Sequence, residues 1–375
     1  MRRHQCHPDP LALARRRRSE RGLSLVELML SASLGVLLLG AAVAVLLAAG
    51  RMRRNQQLLS DANDEARAAL RVVSNTVGAT GVGGKLYRYV STGGDVRQRS
   101  ALIFTNGTTA LNAPTLPQKP DSLIVMRYGA DRRSELVAEL NSGFPVRITP
   151  DPRQASTKGV EPQIFRPGEH VFITNFQTSM LLRPVRRELN MAAHTVDLDV
   201  GTVNFTALQP QTSGGMSTEP KVNPGASVFP VQLLRYRVVY VPAKGSQPER
   251  GDLVAETLDP ITLAPLTTVV LASNVEDFQV QWANSNGDGV AQGYSDIGPT
   301  ETNIDQDLAY ARISISARTS GTLITNSGDF VAKGEMTPFE QGLDLDTSDR
   351  PPASGYRRRV LSTVVLLKNL AALRL

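Results

Sequence analysis

From Leu23 to Ala49 the chain reads LSLVELMLSASLGVLLLGAAVAVLLAA, and Glu27 is the only ionisable side chain in those 27 residues. A helix needs roughly 20 apolar residues, at about 1.5 Å rise each, to cross the hydrocarbon core of a bilayer. The run therefore predicts a transmembrane span over 23–49. The pattern then changes. Leu58, Leu59, Ala62, Ala66, Ala69, Leu70 and Val73 recur at helical spacings, with Asp61, Asp64, Glu65, Arg67 and Arg71 filling the other positions. This is an amphipathic continuation with one face toward a core. No proline occurs between Pro10 and Pro114. One helix from about residue 25 to 77 is expected, about 80 Å long at 1.5 Å per residue, and Gly78, Gly81, Gly83 and Gly84 stop it.

Beyond residue 85 the period shortens to that of half-buried strands. SLIVMRY at 122–128, HVFIT at 170–174, HTVDLDV at 194–200, VQLLRYRVVYV at 231–241, VEDFQVQW at 275–282, ARISISA at 311–317 and VLSTVVLL at 360–367 are the main β-type runs. Loops rich in Pro, Gly, Ser and Thr separate them near 105–120, 149–163, 210–227 and 342–355. The expected class is α+β: a long N-terminal helix, transmembrane and then amphipathic, packed on an enlarged antiparallel β-rich body. The body spans 78–375, and a division into two lobes near 210–227 is one arrangement open to it.

Charge adds a leader to this plan. The 375 residues carry a net +6, but residues 1–22 hold seven arginines against Asp9 and Glu20. The body is close to neutral, which argues against a broad phosphate-binding surface. Under the positive-inside tendency the leader stays cytoplasmic and the body is periplasmic, while Arg51, Arg53 and Arg54 lie where the span leaves the bilayer, near lipid phosphates. Cys6 is the single cysteine, so an intramolecular disulfide, a Cys-ligated zinc site and an iron–sulfur cluster are excluded.

The apolar run is too long for the 7–15 residues of an ordinary secretory signal. The informative segment precedes it: Arg21-Gly22-Leu23-Ser24-Leu25-Val26-Glu27-Leu28. A carboxylate inside a span is costly and is usually found with a partner. The octet resembles the class III signal of type IV pilins and pseudopilins: a basic leader, glycine at the cut, an apolar first mature residue, and glutamate four residues later. The resemblance implies cleavage by prepilin peptidase between Gly22 and Leu23 and methylation of the new Leu23 amine. Glu27 then pairs with the N-terminal amine, on Leu23, of a neighbouring subunit during assembly. Leucine stands where most family members begin with phenylalanine.

Within that superfamily the helix entry, DSLIVMRYG at 121–129, VEDFQVQW with the turn after it, ARISISART and YRRRVLSTVVLLKN are similar to the PilW family of minor pilins. The implied protein is an inner-membrane, single-pass subunit that enters a pilus (fimbrium), where its tip is one location. Its implied partners are other minor pilins, the major pilin, the inner-membrane assembly platform and membrane lipids, and the implied roles are priming of assembly, twitching motility, adhesion or DNA uptake. A J-class minor pseudopilin of type II secretion has the same plan. A membrane-anchored periplasmic binding or adhesion protein that never polymerises is the alternative from another class.

Catalytic signatures are missing from the sequence. His4 and His7 fall in the leader, His170 and His194 sit in strand-like runs, and G-x-S-x-G, G-x-x-x-x-G-K-[ST] and H-E-x-x-H do not occur; an enzyme is not expected. One turn has partial calcium-loop character. Asn284, Asn286 and Asp288 alternate before a glycine, but the twelfth position is Ser295 rather than glutamate, and a hairpin turn uses the same residue types. If calcium binds, those three are the ligands; no other cofactor is expected. Arg357-Arg358-Arg359 suits DNA or an acidic partner, and equally a solvated strand start, which is the reading favoured.

Overall fold

The computed structural model describes residues 24–80, 86–107, 120–129, 132–142, 144–149, 169–190, 195–201, 203–208, 221–244, 249–284, 293–295, 298–301, 308–320 and 358–367. The chain forms two compact units, Met1–Gln57 and Leu58–Leu375. Helix α1 (Leu25–Gly78) contributes to both. The protein is α+β.

From Leu28 to Ala49 the helix carries apolar side chains all round, with Ser31 and Ser33 the hydroxyl-bearing exceptions. Leu37, Leu38 and Leu39 are 69, 70 and 68% exposed, although successive residues point in directions about 100° apart. Among the described residues α1 is the one helix long and apolar enough to cross a membrane. Ser31 and Ser33 turn their hydroxyls back onto the carbonyls of Leu28 and Leu30, at 3.0 and 2.9 Å, so neither presents an unpaired donor to an apolar medium.

In the second unit α1 buries Ala66, Ala69, Leu70, Val73 and Val77. The small residues bring the helix backbone close to the sheets, and the cluster around it includes Leu123, Val125, Tyr236, Val238, Phe278, Val280, Ile313 and Ile315. Two polar contacts fix its seating. Tyr236 Oη donates to Thr76 Oγ1 at 3.0 Å, and Glu65 Oε2 accepts from the Ser273 amide at 3.1 Å.

The strands are β1 (Leu86–Val90), β2 (Val96–Ser100), β3 (Leu102–Thr105), β4 (Ser122–Tyr128), β5 (Ser134–Leu136), β6 (Val146–Thr149), β7 (His170–Thr174), β8 (Ser179–Leu182), β9 (Arg186–Asn190) and β10 (Thr195–Asp199). After the short helix α2 (Phe205–Leu208) come β11 (Ser227–Val241), β12 (Arg250–Leu258), β13 (Pro265–Ser273), β14 (Val275–Asn284), β15 (Leu308–Arg318) and β16 (Arg358–Leu366). The first thirteen strands form one branched sheet and the last three a second sheet in the order β14-β15-β16. Pairing is antiparallel except between β1 and β8.

β11 organises the large sheet. Its first residues pair with β5 and β7, and its remainder pairs with β4 on one side and β12 on the other. A second core gathers Leu136, Ile148, Val171, Met180, Val196, Phe205 and Leu208. A third is aromatic: Tyr128 and Phe172 meet edge-on with ring centres 5.2 Å apart.

The two sheets are tied by Asp121. Its Oδ2 accepts from the Val280 amide at 2.7 Å, its Oδ1 accepts from Gly107 at 2.9 Å, and its own amide donates to Phe278 O at 2.8 Å. Gly251 lets β12 approach the Val275 carbonyl so closely that a β-carbon there would overlap it. The chain passes from β13 into β14 through Asn274 alone, at φ 58°, a left-handed conformation that asparagine tolerates.

Candidate functional site

The apolar helix begins with a reciprocal cap. Ser24 precedes the first helical residue, and Glu27 lies in the first turn. The Ser24 amide donates to Glu27 Oε2 at 3.0 Å, and the Glu27 amide donates to Ser24 Oγ at 3.2 Å. This S-x-x-E arrangement satisfies two of the amides that every helix start leaves without an intrahelical acceptor. The carboxylate also stands at the positive end of the helix dipole. Both residues are exposed.

Gly22 and Leu23 lie outside the described residues. Glu27 therefore has a local partner in its own chain, which the sequence reading did not assign. The signal was present, because serine or threonine three residues before an acidic side chain, abutting an apolar run, is a recognised helix start. A carboxylate has room for further donors beyond one amide. The cap fixes Glu27 at the head of the helix and leaves it able to accept from an ammonium group.

The other candidates are dispersed. Asn284 ends β14, opposite Leu308, while Asn286 and Asp288 lie outside the described residues. Trp282 and Ser295 exchange amide–carbonyl hydrogen bonds, both 2.8 Å, at the base of that turn. No group of three or more His, Cys, Asp or Glu suited to a metal occurs among the described residues. Arg51, Arg53 and Arg54 are exposed on α1, and Arg359 is exposed on β16. His170 is buried in β7, whereas His194 lies outside the described residues.

Ionic groups inside the body serve the fold. Arg99, buried at 5% exposure, donates to Glu301 Oε1 at 2.8 Å, to the carbonyls of Pro260 and Ile261 at 2.7 and 3.2 Å, and to Tyr89 Oη at 2.8 Å. Glu256 on β12 accepts from Arg235 at 2.5 Å and from Arg237 at 2.9 and 3.1 Å, both on β11. Burial pushes the Glu256 carboxyl up, but the bonds from Arg237 and Arg235 outweigh it and hold the group below the usual carboxylate range. Burial lowers the His170 imidazole against the opposing charge of Asp259, and Arg183 adds to the lowering. Asp259 is also pushed up by burial, yet the amides of Thr262 and Ile261, with His170, hold it low.

No protein-family model matches the chain, and no curated protein matches it. Among solved structures it is similar to a type IV-like pilin from Thermus thermophilus at 12% identity, with 82% of this chain and 97% of that chain covered and a TM-score of 0.33. That likeness is too low to fix a role.

Proposed function

We propose that the chain is a minor pilin of the PilW type, inserted in the inner membrane, cut after Gly22 by prepilin peptidase, and drawn by its apolar helix into a type IV pilus. The octet from Arg21 to Leu28 carries this reading. The exposed apolar surface of α1 supports it, because such a surface is stable only against lipid or other apolar helices. The work is assembly rather than catalysis. After cleavage the Leu23 ammonium of one subunit meets Glu27 of its neighbour, and the Ser24 cap holds that carboxylate ready. Other minor pilins, the major pilin and the assembly platform are the partners in this scheme. Piliation, twitching, adhesion or DNA uptake is the process served.

The first experiment is mass spectrometry of the N-terminus of the membrane-associated protein, with and without prepilin peptidase. A peptidase-dependent start at Leu23, N-methylated, is the expected result. An intact leader, or a cut beyond Ala49, overturns it in favour of an anchored or secreted β-rich protein. A deletion strain then distinguishes pilus from type II secretion: loss of pili supports the minor pilin, and loss of exoprotein secretion supports the pseudopilin.

A further inference from the structure

Each sheet ends in a strand with a single lateral neighbour among the described residues. β13 pairs only with β12, and β16 pairs only with β15. Folded proteins usually blunt such edges with charges, proline or bulges. Here the pairing of β13 with β12 is irregular at Leu266 and Leu271, but Leu266–Ala272 and Val360–Leu367 carry no charge and no proline. All six residues from Pro265 to Val270 are exposed, with Leu266, Val269 and Val270 at 62, 59 and 52%; on β16 Val364 is 52% and Leu366 39% exposed.

The two edges also have nearly the same sequence. Leu266-Thr267-Thr268-Val269-Val270-Leu271 on β13 corresponds to Leu361-Ser362-Thr363-Val364-Val365-Leu366 on β16. Charge fixes their relative direction. Exposed Arg359 stands at the start of β16. Exposed Glu65 stands at the end of β13, where it accepts from the Ser273 amide. At the other end of β13, the Asp259 carboxylate is occupied by the Ile261 and Thr262 amides. Antiparallel pairing with Leu271 opposite Leu361 sets Arg359 against Ser273 and so against Glu65. It also brings together Leu271 of one copy and Leu361 of the other, side chains that within each copy are partly buried against the same core cluster around α1. Strand register follows the buried face in this way.

We propose that β13 of one copy and β16 of a second copy form a head-to-tail β-sheet interface, antiparallel, with Thr268 opposite Val364. Main-chain hydrogen bonds supply the attraction, and the alternate side chains with the Arg359–Glu65 pair supply the register. Two different edges are used, so one copy keeps a free β16 and the other a free β13, and the contact propagates rather than closing into a two-fold dimer. The proposal stands apart from the filament reading, since purified copies need neither peptidase nor assembly machinery.

The test uses full-length protein in detergent with Cys6→Ser and two differently tagged copies, one bearing Thr268→Cys and the other Val364→Cys. Mild oxidation is expected to yield a disulfide-linked product carrying both tags, and neither variant alone yields a dimer. Val269→Lys in the Thr268→Cys copy is expected to cut the yield about tenfold, as a charge forced into an apolar strand contact does, with the melting temperature unchanged. Arg359→Glu lowers the yield, and Glu65→Lys on the other copy restores it. A product from Thr268→Cys alone, no product in any combination, or a yield indifferent to Val269→Lys each overturns the proposal. N-terminal processing is scored separately, so one idea can fail without the other.

Discussion

Ser24 and Glu27 each accept the other's amide proton, at 3.2 and 3.0 Å, where the apolar helix begins. The carboxylate thus has two separable tasks, one within its chain and one proposed between chains. Ser24→Ala removes only the hydroxyl half of the cap and is expected to cost about 0.5–2 kcal/mol of local helix stability. Amide hydrogen exchange over residues 25–28 in micelles measures this. Piliation survives Ser24→Ala but fails in Glu27→Ala; equal loss in both reduces Glu27 to a cap.

Glu256 predicts an acid limit to stability. Its folded pKa is depressed, so its contribution is fully present above the unfolded carboxylate value of about 4.3 and is lost as pH falls through the folded value. Glu256→Gln is expected to destabilise by about 1–3 kcal/mol at neutral pH and to flatten the slope of melting temperature against pH below about 4. An unchanged slope shows that other carboxylates dominate.

His170 adds a milder step at higher pH. Its imidazole is held low, so folding favours the neutral ring, and stability falls as pH drops below the unfolded value of about 6.5 toward the folded one. His170→Phe removes this step, visible in melts between pH 7 and 5, whereas the Glu256 step below it persists.

The contact between β12 and the start of β14 leaves no room for a side chain at Gly251. Gly251→Ala is expected to cost at least about 1–3 kcal/mol, the usual range for overpacking, read as a lowered melting temperature. Removing the tie between the sheets acts differently. Asp121→Ala leaves the Val280 and Gly107 amides without their acceptor and is expected to accelerate hydrogen exchange at Val280 ahead of global unfolding.

The helix was legible because its signals are local. Leucine and alanine periodicity, the missing prolines and the glycines after Val77 gave 25–77, against Leu25–Gly78 observed. The runs at 122–128 and 170–174 match β4 and β7, and 231–241 falls within β11. β13 is not legible in the sequence because PLTTVVLAS lacks alternation: an exposed edge strand has no buried face to impose it. The roles of Arg99, Asp121 and Glu256 were equally hidden, since their partners lie 10 to 202 residues away in sequence. At the candidate site the octet contains both Ser24 and Glu27, and the reciprocal cap between them is what the structure adds.

β11 imposes an order of events on biosynthesis. β4, β5 and β7 all pair with it, yet it begins at Ser227, about a hundred residues after β4. Non-local pairing of this kind folds slowly. Three strands therefore wait without this shared partner until β11 has been synthesised. In the proposed membrane-anchored pilin the waiting chain is held at the bilayer surface, and the yield of folded protein follows the rate at which the second half of the chain is delivered.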